Sequence, residues 1–160
     1  MRILVVSDSH GDAYALERAV DAQPTARVVI HLGDGAREAA DAAELFPDRT
    51  FYQVRGNCDW SGSCDAPYTR QETLGGKSVF FTHGHLYDVK MGLYRAVCAA
   101  RERKADILLF GHTHEPLEEY DEGLYILNPG SLSRGRGAGT YGILDITPAG
   151  IVTHIVENRL

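Results

Sequence analysis

Metal-ligand side chains recur along this chain in short, mostly glycine-bearing packets: Asp8-Ser9-His10, Gly33-Asp34-Gly35, Gly56-Asn57-Cys58-Asp59, His83-Gly84-His85 and Gly111-His112-Thr113-His114. Asp, Asn and His offer the oxygen and nitrogen donors that suit divalent ions such as Mn²⁺, Fe²⁺ and Zn²⁺. Taken singly, each packet has a bland reading. Asp8 can cap a helix, Asp34-Gly35 and Asn57 suit turns, and His83 suits a hydrogen-bonded core. His112 and His114 in an extended segment send both rings to one side. All these bland readings would have to coincide, in order, nearly always after an apolar run. One shared metal-binding site is the simpler account.

The elements that must position these packets are legible in the apolar pattern. Ile3-Leu4-Val5-Val6 is a continuous apolar run, as in a strand covered on both faces. Asp12 to Ala22 sets Ala15, Leu16, Ala19 and Val20 on one helical stripe, closed by Pro24. Arg27 to Leu32 reads as a second strand, Arg37 to Phe46 as an Ala-rich helix and Thr50 to Val54 as a third strand. Tyr68 to Leu74 and Lys77 to Thr82 flank Gly75-Gly76 as a hairpin. The pattern then predicts a helix over Val89 to Lys104, with Leu93, Val97 and Ala100 on one side, and a strand over Asp106 to Phe110. Two hairpins close the chain, 116–121 with 124–128 and 141–146 with 151–156. The mixture suggests two packed sheets with helices outside. In such α/β layers, ligands gather beyond the carboxyl ends of strands, where the packets fall.

Composition excludes several classes of function. The 160 residues read as one domain, 1–160, and 44% apolar content is globular. A net charge of −6 without a basic stripe argues against nucleic-acid polymers and anionic membranes. Apolar runs such as Ile107 to Phe110 are too short to span a bilayer. The N-terminal residues read as a strand and not as a signal peptide, so a cytoplasmic location is expected. Cys58, Cys64 and Cys98 form no CxxC pair, which argues against a disulfide framework.

The ordered set D-x-H, G-D, G-N, H and G-H-x-H, from Asp8 to His114, resembles the calcineurin-like metallophosphoesterases. Gly56-Asn57-Cys58-Asp59 and Asn128-Pro129-Gly130-Ser131 are similar to the small bacterial and archaeal phosphodiesterase branch of that family. The resemblance implies a four-layer α-β-β-α sandwich of two mixed β-sheets flanked by helices. It implies two divalent ions per chain, with manganese expected and Fe, Zn, Ni or Co suited to the same donors. Asp8, His10, Asp34 and His114 would hold the first ion. Asp34, Asn57, His83 and His112 would hold the second, with Asp34 bridging. Asp34, Asn57 and His83 would also carry the catalytic role. The implied reaction is in-line attack of a bridging hydroxide on a phosphate diester. The implied substrate is a small or nucleotide-like diester, and relatives that form dimers or tetramers make a homo-oligomer an expectation.

The pattern also departs from the family at one position. Many members carry His where Cys58 stands, and a neutral thiol is a poor substitute for an imidazolium. Good leaving groups should therefore be favoured, and Cys58 itself should be dispensable. Cys58, His85 and Arg134 are candidate substrate contacts. Asp59 is a candidate to hydrogen-bond a ligand histidine, or else a turn cap. The Gly-rich segment from Asn128 through Arg134-Gly135-Arg136-Gly137 has the composition of a phosphate loop or of a surface turn. His31 and His154 read as structural. Two other functions compete: a non-catalytic protein-interaction scaffold on the same fold, and a phosphomonoesterase. A scaffold has no need of a complete ligand set.

Overall fold

The computed structural model describes residues 1–60, 64–133 and 138–159. Its first sheet is built from β1 (Arg2–Val6), β2 (Val28–His31), β3 (Thr50–Gln53), β9 (Gly139–Thr147) and β10 (Gly150–Asn158) in the order β10-β9-β1-β2-β3. Strands β1, β2 and β3 are parallel, and β9 and β10 run antiparallel at one side. The second sheet uses β4 (Thr69–Leu74), β5 (Lys77–Thr82), β6 (Ile107–Leu109), β7 (Leu117–Asp121) and β8 (Leu124–Asn128) in the order β4-β5-β6-β8-β7. Its centre, β5-β6-β8, is parallel, with an antiparallel strand on each side. Both sheets are therefore mixed, as the resemblance implied.

Side-chain alternation along each strand divides the core into layers. Ile3, Val5 and Ile30 from the first sheet meet Val79, Phe81, Ile107 and Leu109 from the second in an inter-sheet core. The alternate residues Leu4, Val6 and Val29 pack under helix α1 (Ala13–Asp21) with Leu16, Ala19 and Val20, and Ala42 of helix α2 (Ala36–Leu45) joins them. On the far side, Phe80, Leu108, Phe110 and Ile126 pack against Ala96, Ala99 and Ala100 of helix α3 (Tyr94–Glu102). This explains why the central strands are apolar on both faces. Burying a side chain such as Leu108 or Phe80 contributes about 1.5–3 kcal/mol. Among the described residues no helix is long and apolar enough to cross a membrane.

Two expectations change. Asp12 caps α1, its carboxylate accepting from Ala15 N at 3.0 Å, so Asp8 is free of that duty. The helix expected from Val89 begins only at Tyr94. Before it come a 3₁₀ turn at His85–Tyr87 and left-handed backbone at Asp88 (φ 52°) and Gly92 (φ 146°), which halt helical propagation. Leu93 and Val97 are only partly buried, and small alanines form the packed face.

Candidate metal centre

The loops leaving β1, β2, β3, β5 and β6 converge at one rim of the two sheets. Asp8 is fully buried there, and each of its oxygens has a different task. Oδ2 accepts from Ser7 Oγ (2.5 Å) and His112 N (3.2 Å). Oδ1 faces three imidazoles: His114 Nε2 at 3.1 Å, His10 Nε2 at 3.5 Å and His83 Nε2 at 3.9 Å. Asp34 repeats the division. Its Oδ1 accepts from Cys58 N (2.7 Å), while Oδ2 faces His83 Nε2 (3.4 Å) and His10 Nε2 (3.9 Å). Asn57 Oδ1 completes this side, 3.1 Å from His83 Nε2. His112 stacks edge-on to His83 with ring centroids 5.0 Å apart.

These spacings fit a metal. Donors about 2.0–2.2 Å from one ion lie about 3–3.5 Å from each other, close to the separations around Asp8 and Asp34. The chemistry of the donors fits as well. His83 Nδ1–H donates to Leu32 O at 2.8 Å, because a carbonyl only accepts; Nε2, which faces Asp34 and Asn57, is therefore the nitrogen that offers a lone pair to a metal once the ring is neutral. Two buried carboxylates converging on histidines need compensating positive charge.

The electrostatics report that need. Burial opposes ionisation of Asp34, yet the hydrogen bond and attraction of His83, with help from Cys58 N–H, hold its carboxyl far below the usual range. Burial pushes His83 down, but Asp34 and Asp8 more than offset this and raise it. His112 is pushed down to about 4 by burial, His83 and Lys90, so it is neutral near pH 7. Burial and the neighbouring Asp34 push the Cys58 thiol up, which keeps it protonated.

The backbone marks the same residues. Among described non-glycine residues, eight have positive φ, and five of these are Asp8, His10, Asp34, His112 and His114. Left-handed backbone costs of order 1–3 kcal/mol at such positions and persists only where surrounding contacts enforce it. The enforcing contacts include close backbone packing. A Cβ on Gly56 would stand 2.0 Å from Asp34 Oδ1, and one on Gly33 (φ 104°) would stand 2.6 Å from Gly56 N.

Most expected site residues meet at this rim: Asp8, His10, Asp34, Asn57, His83, His112 and His114. Cys58 borders it, within ligand-group distance of His10 and Asp34. His85 lines it, its ring 5.4 Å from His83 and 5.8 Å from Tyr68. Arg134 lies outside the described residues. Asp59 bonds no ligand histidine among the described residues; it accepts backbone N–H groups instead. The segment from Asn128 to Ser131 clamps the ligand loops. Asn128 Nδ2 donates to Gly111 O (3.2 Å) and Thr113 Oγ1 (2.9 Å), and Ser131 Oγ donates to Asp8 O (2.9 Å). His31 is structural, as expected. Its Nδ1 accepts from Gly33 N, its Nε2–H donates to Ser9 Oγ (3.0 Å), and Ser9 donates to Glu38 Oε1 (3.1 Å). Ser7, Ser9 and Glu38 carry no local signature that would have singled them out, because their value lies in partners distant along the chain.

The comparisons agree with this geometry. Residues 1–148 match the model of the calcineurin-like phosphoesterase superfamily domain. The chain is 36% identical over 149 residues to the probable metallophosphoesterase YsnB of Bacillus subtilis (strain 168), covering 91% of this chain and 85% of that one. It is 32% identical over 169 residues to phosphodiesterase YfcE of Escherichia coli (strain K12), covering 91% and 88%. A crystal structure from Streptococcus pneumoniae TIGR4, described as a predicted phosphoesterase, aligns with a TM-score of 0.84 at 30% identity, over 98% of this chain and 89% of that chain. The chain therefore belongs to the calcineurin-like phosphoesterase superfamily, within its small bacterial and archaeal branch.

Proposed function

We propose that this protein is a metal-dependent phosphodiesterase acting on small phosphate diesters. In this reading Asp8, His10, Asp34 and His114 hold one divalent ion, and Asp34, Asn57, His83 and His112 hold a second. The observation that carries it is the division of Asp34: Oδ1 is tied to Cys58 N–H, while Oδ2 stands between His10 and His83. A carboxylate oxygen so placed suits a bridge between two ions. When bound, such a pair supplies the charge that holds phosphate oxygens and the acidity that makes hydroxide available at neutral pH.

The chain's own residues supply orientation and limits. Ser7 and His112 N–H turn Asp8, Leu32 O fixes the His83 tautomer, and Cys58 N–H turns Asp34. Cys58, neutral and exposed, offers no charged acid to a leaving oxygen, so esters of acidic alcohols suit the site. An open cleft of about 230 Å³ adjoins the rim, lined by His10, Gly11, Arg37, Glu38 and Cys58 among others. It is smaller than a usual drug-sized pocket, which favours a small ester arm. The name of the related YfcE supports diester chemistry.

The test is hydrolysis of bis-p-nitrophenyl phosphate against p-nitrophenyl phosphate. Chelator-stripped protein is restored with Mn²⁺ first, then with Fe²⁺, Zn²⁺, Ni²⁺ or Co²⁺. Metal-dependent cleavage that prefers the diester is expected. Preference for the monoester would replace the reading with a phosphomonoesterase. Tight metal binding without turnover of either ester would favour the scaffold.

A further inference from the structure

Asp59 gathers four backbone amides into one carboxylate. Oδ2 accepts from Asp34 N and Gly56 N, both at 2.8 Å. Oδ1 accepts from Gly35 N and Ala36 N, both at 3.0 Å. The donors come from two loops, one after β2 and one after β3. An ionised carboxylate offers about four lone-pair sites, so this arrangement saturates it. Among the described residues no Lys or Arg pairs with Asp59, so the N–H groups themselves carry the compensation, in the manner of an anion-binding nest. Helix α2 needs this help: its N-cap is Gly35, which has no side chain to cap with. The helix N-terminus is thus occupied by a residue of the same chain.

The two loops that Asp59 joins carry Asp34 and Asn57. Cys58 N–H returns the contact to Asp34 Oδ1, so the loops are stitched in both directions. The loops of His10 and of His112 to His114 receive no bond from Asp59 among the described residues; other residues hold them. We propose that Asp59 is a positioning residue that sets the spacing of Asp34 and Asn57 and thereby the affinity of the second metal position more than that of the first. This rests on the two-ion reading above. Removing the carboxylate loosens Asp34 relative to Asn57, while Asp34 stays joined to the Asp8–His10 loop through Asp8 N to Gly33 O and His10 N to Asp34 O, both at 3.0 Å. Asn at this position supplies one acceptor oxygen and turns its NH₂ toward two N–H groups, so it is half a replacement.

The test compares wild type with Asp59→Asn and Asp59→Ala in two measurements. Amide hydrogen exchange by NMR on metal-free protein reports the tether itself. Exchange at Asp34, Gly35, Ala36 and Gly56 should accelerate by about tenfold or more in Asp59→Ala, while Gly111 and His112 stay protected. Mn²⁺ titration reports the consequence: the second ion, which loses the placement of both Asp34 and Asn57, should bind about 10–100-fold more weakly, and the first, which shares only Asp34, should weaken less. Asp59→Asn should fall between, and it carries both measurements if Asp59→Ala does not fold. Unchanged exchange at the four amides, or equal weakening of both ions, would overturn the proposal. If wild type binds a single ion, the two-ion reading fails, and amide exchange alone decides whether Asp59 holds the loops.

Discussion

The two halves of the candidate centre are held together in different ways. The half around Asp34 and Asn57 is centred on one charge, the Asp59 carboxylate with its four N–H donors, with the Cys58 N–H bond to Asp34 beside it. The half around Asp8, His10, His112 and His114 hangs on many small bonds from Ser7, Asn128 and Ser131, with the Ser9–Glu38 pair behind them. A joint centred on one charged anchor loses most from a single substitution. A distributed net loses a little with each residue removed. Charge-assisted hydrogen bonds are worth about twice neutral ones, so the two designs should respond differently to single substitutions.

The largest effect should come from the residue shared by both halves. Asp34→Asn should lower kcat/KM on bis-p-nitrophenyl phosphate by about 10³-fold or more, since it removes charge where both groups of histidines converge. Next in size is the weakening of the second ion, greater than that of the first, in Asp59→Ala. Asn128→Ala strikes the distributed half. It strands Gly130 N in a buried place and takes one of two donors from Gly111 O, which keeps Thr113 N, so it should cost about 1–3 kcal/mol by denaturant titration while activity falls only modestly. A drop in activity as deep as that of Asp34→Asn would erase the contrast between the halves.

A pH scan sharpens the comparison further. His31 is fully buried and pushed down, mainly by desolvation. Below about 6.5 the unfolded chain protonates this residue and the folded chain does not, so stability falls as pH falls, by about 1.4 kcal/mol per unit until the folded value is reached. His83 is raised in metal-free protein, so its contribution is complete below about 6.5 and fades as pH rises through its folded value. Thermal unfolding in chelator should therefore show a maximum near pH 6.5. His31→Gln should make the acid limb shallower, the depressed His112 and His85 still feeding it, and leave the alkaline limb. The smallest effect is expected at Cys58→Ala, with metal content intact and turnover nearly unchanged. Loss of turnover there would assign the thiol a direct part.

The candidate ligands were legible because Asp, Asn and His recur in order after apolar runs, and the central strands because both of their faces are covered. The Gly75-Gly76 and Glu122-Gly123 turns were legible for the same local reason. What stayed hidden depends on partners far along the chain. Asp59 acts on backbone N–H groups, which every residue but proline carries, so side-chain types could not reveal its donors. Asn128 and Ser131 had the composition of a phosphate loop, and only their placement beside Gly111 and Asp8 shows a clamp. Helix α3 starts late because Asp88 and Gly92 adopt left-handed backbone, which overrides the apolar period. The strain at Asp8, His10, Asp34, His112 and His114 is likewise a property of the folded loops.

In the proposed centre Asp34 would stand between two ions at one rim. Crystals of Mn²⁺-loaded protein, measured on the high-energy side of the manganese absorption edge, test it most directly. Two anomalous peaks about 3.5–4 Å apart are expected on either side of Asp34 Oδ2, one beside His10 and His114 and one beside Asn57 and His83. A single peak, or two peaks that do not share Asp34, would contradict it.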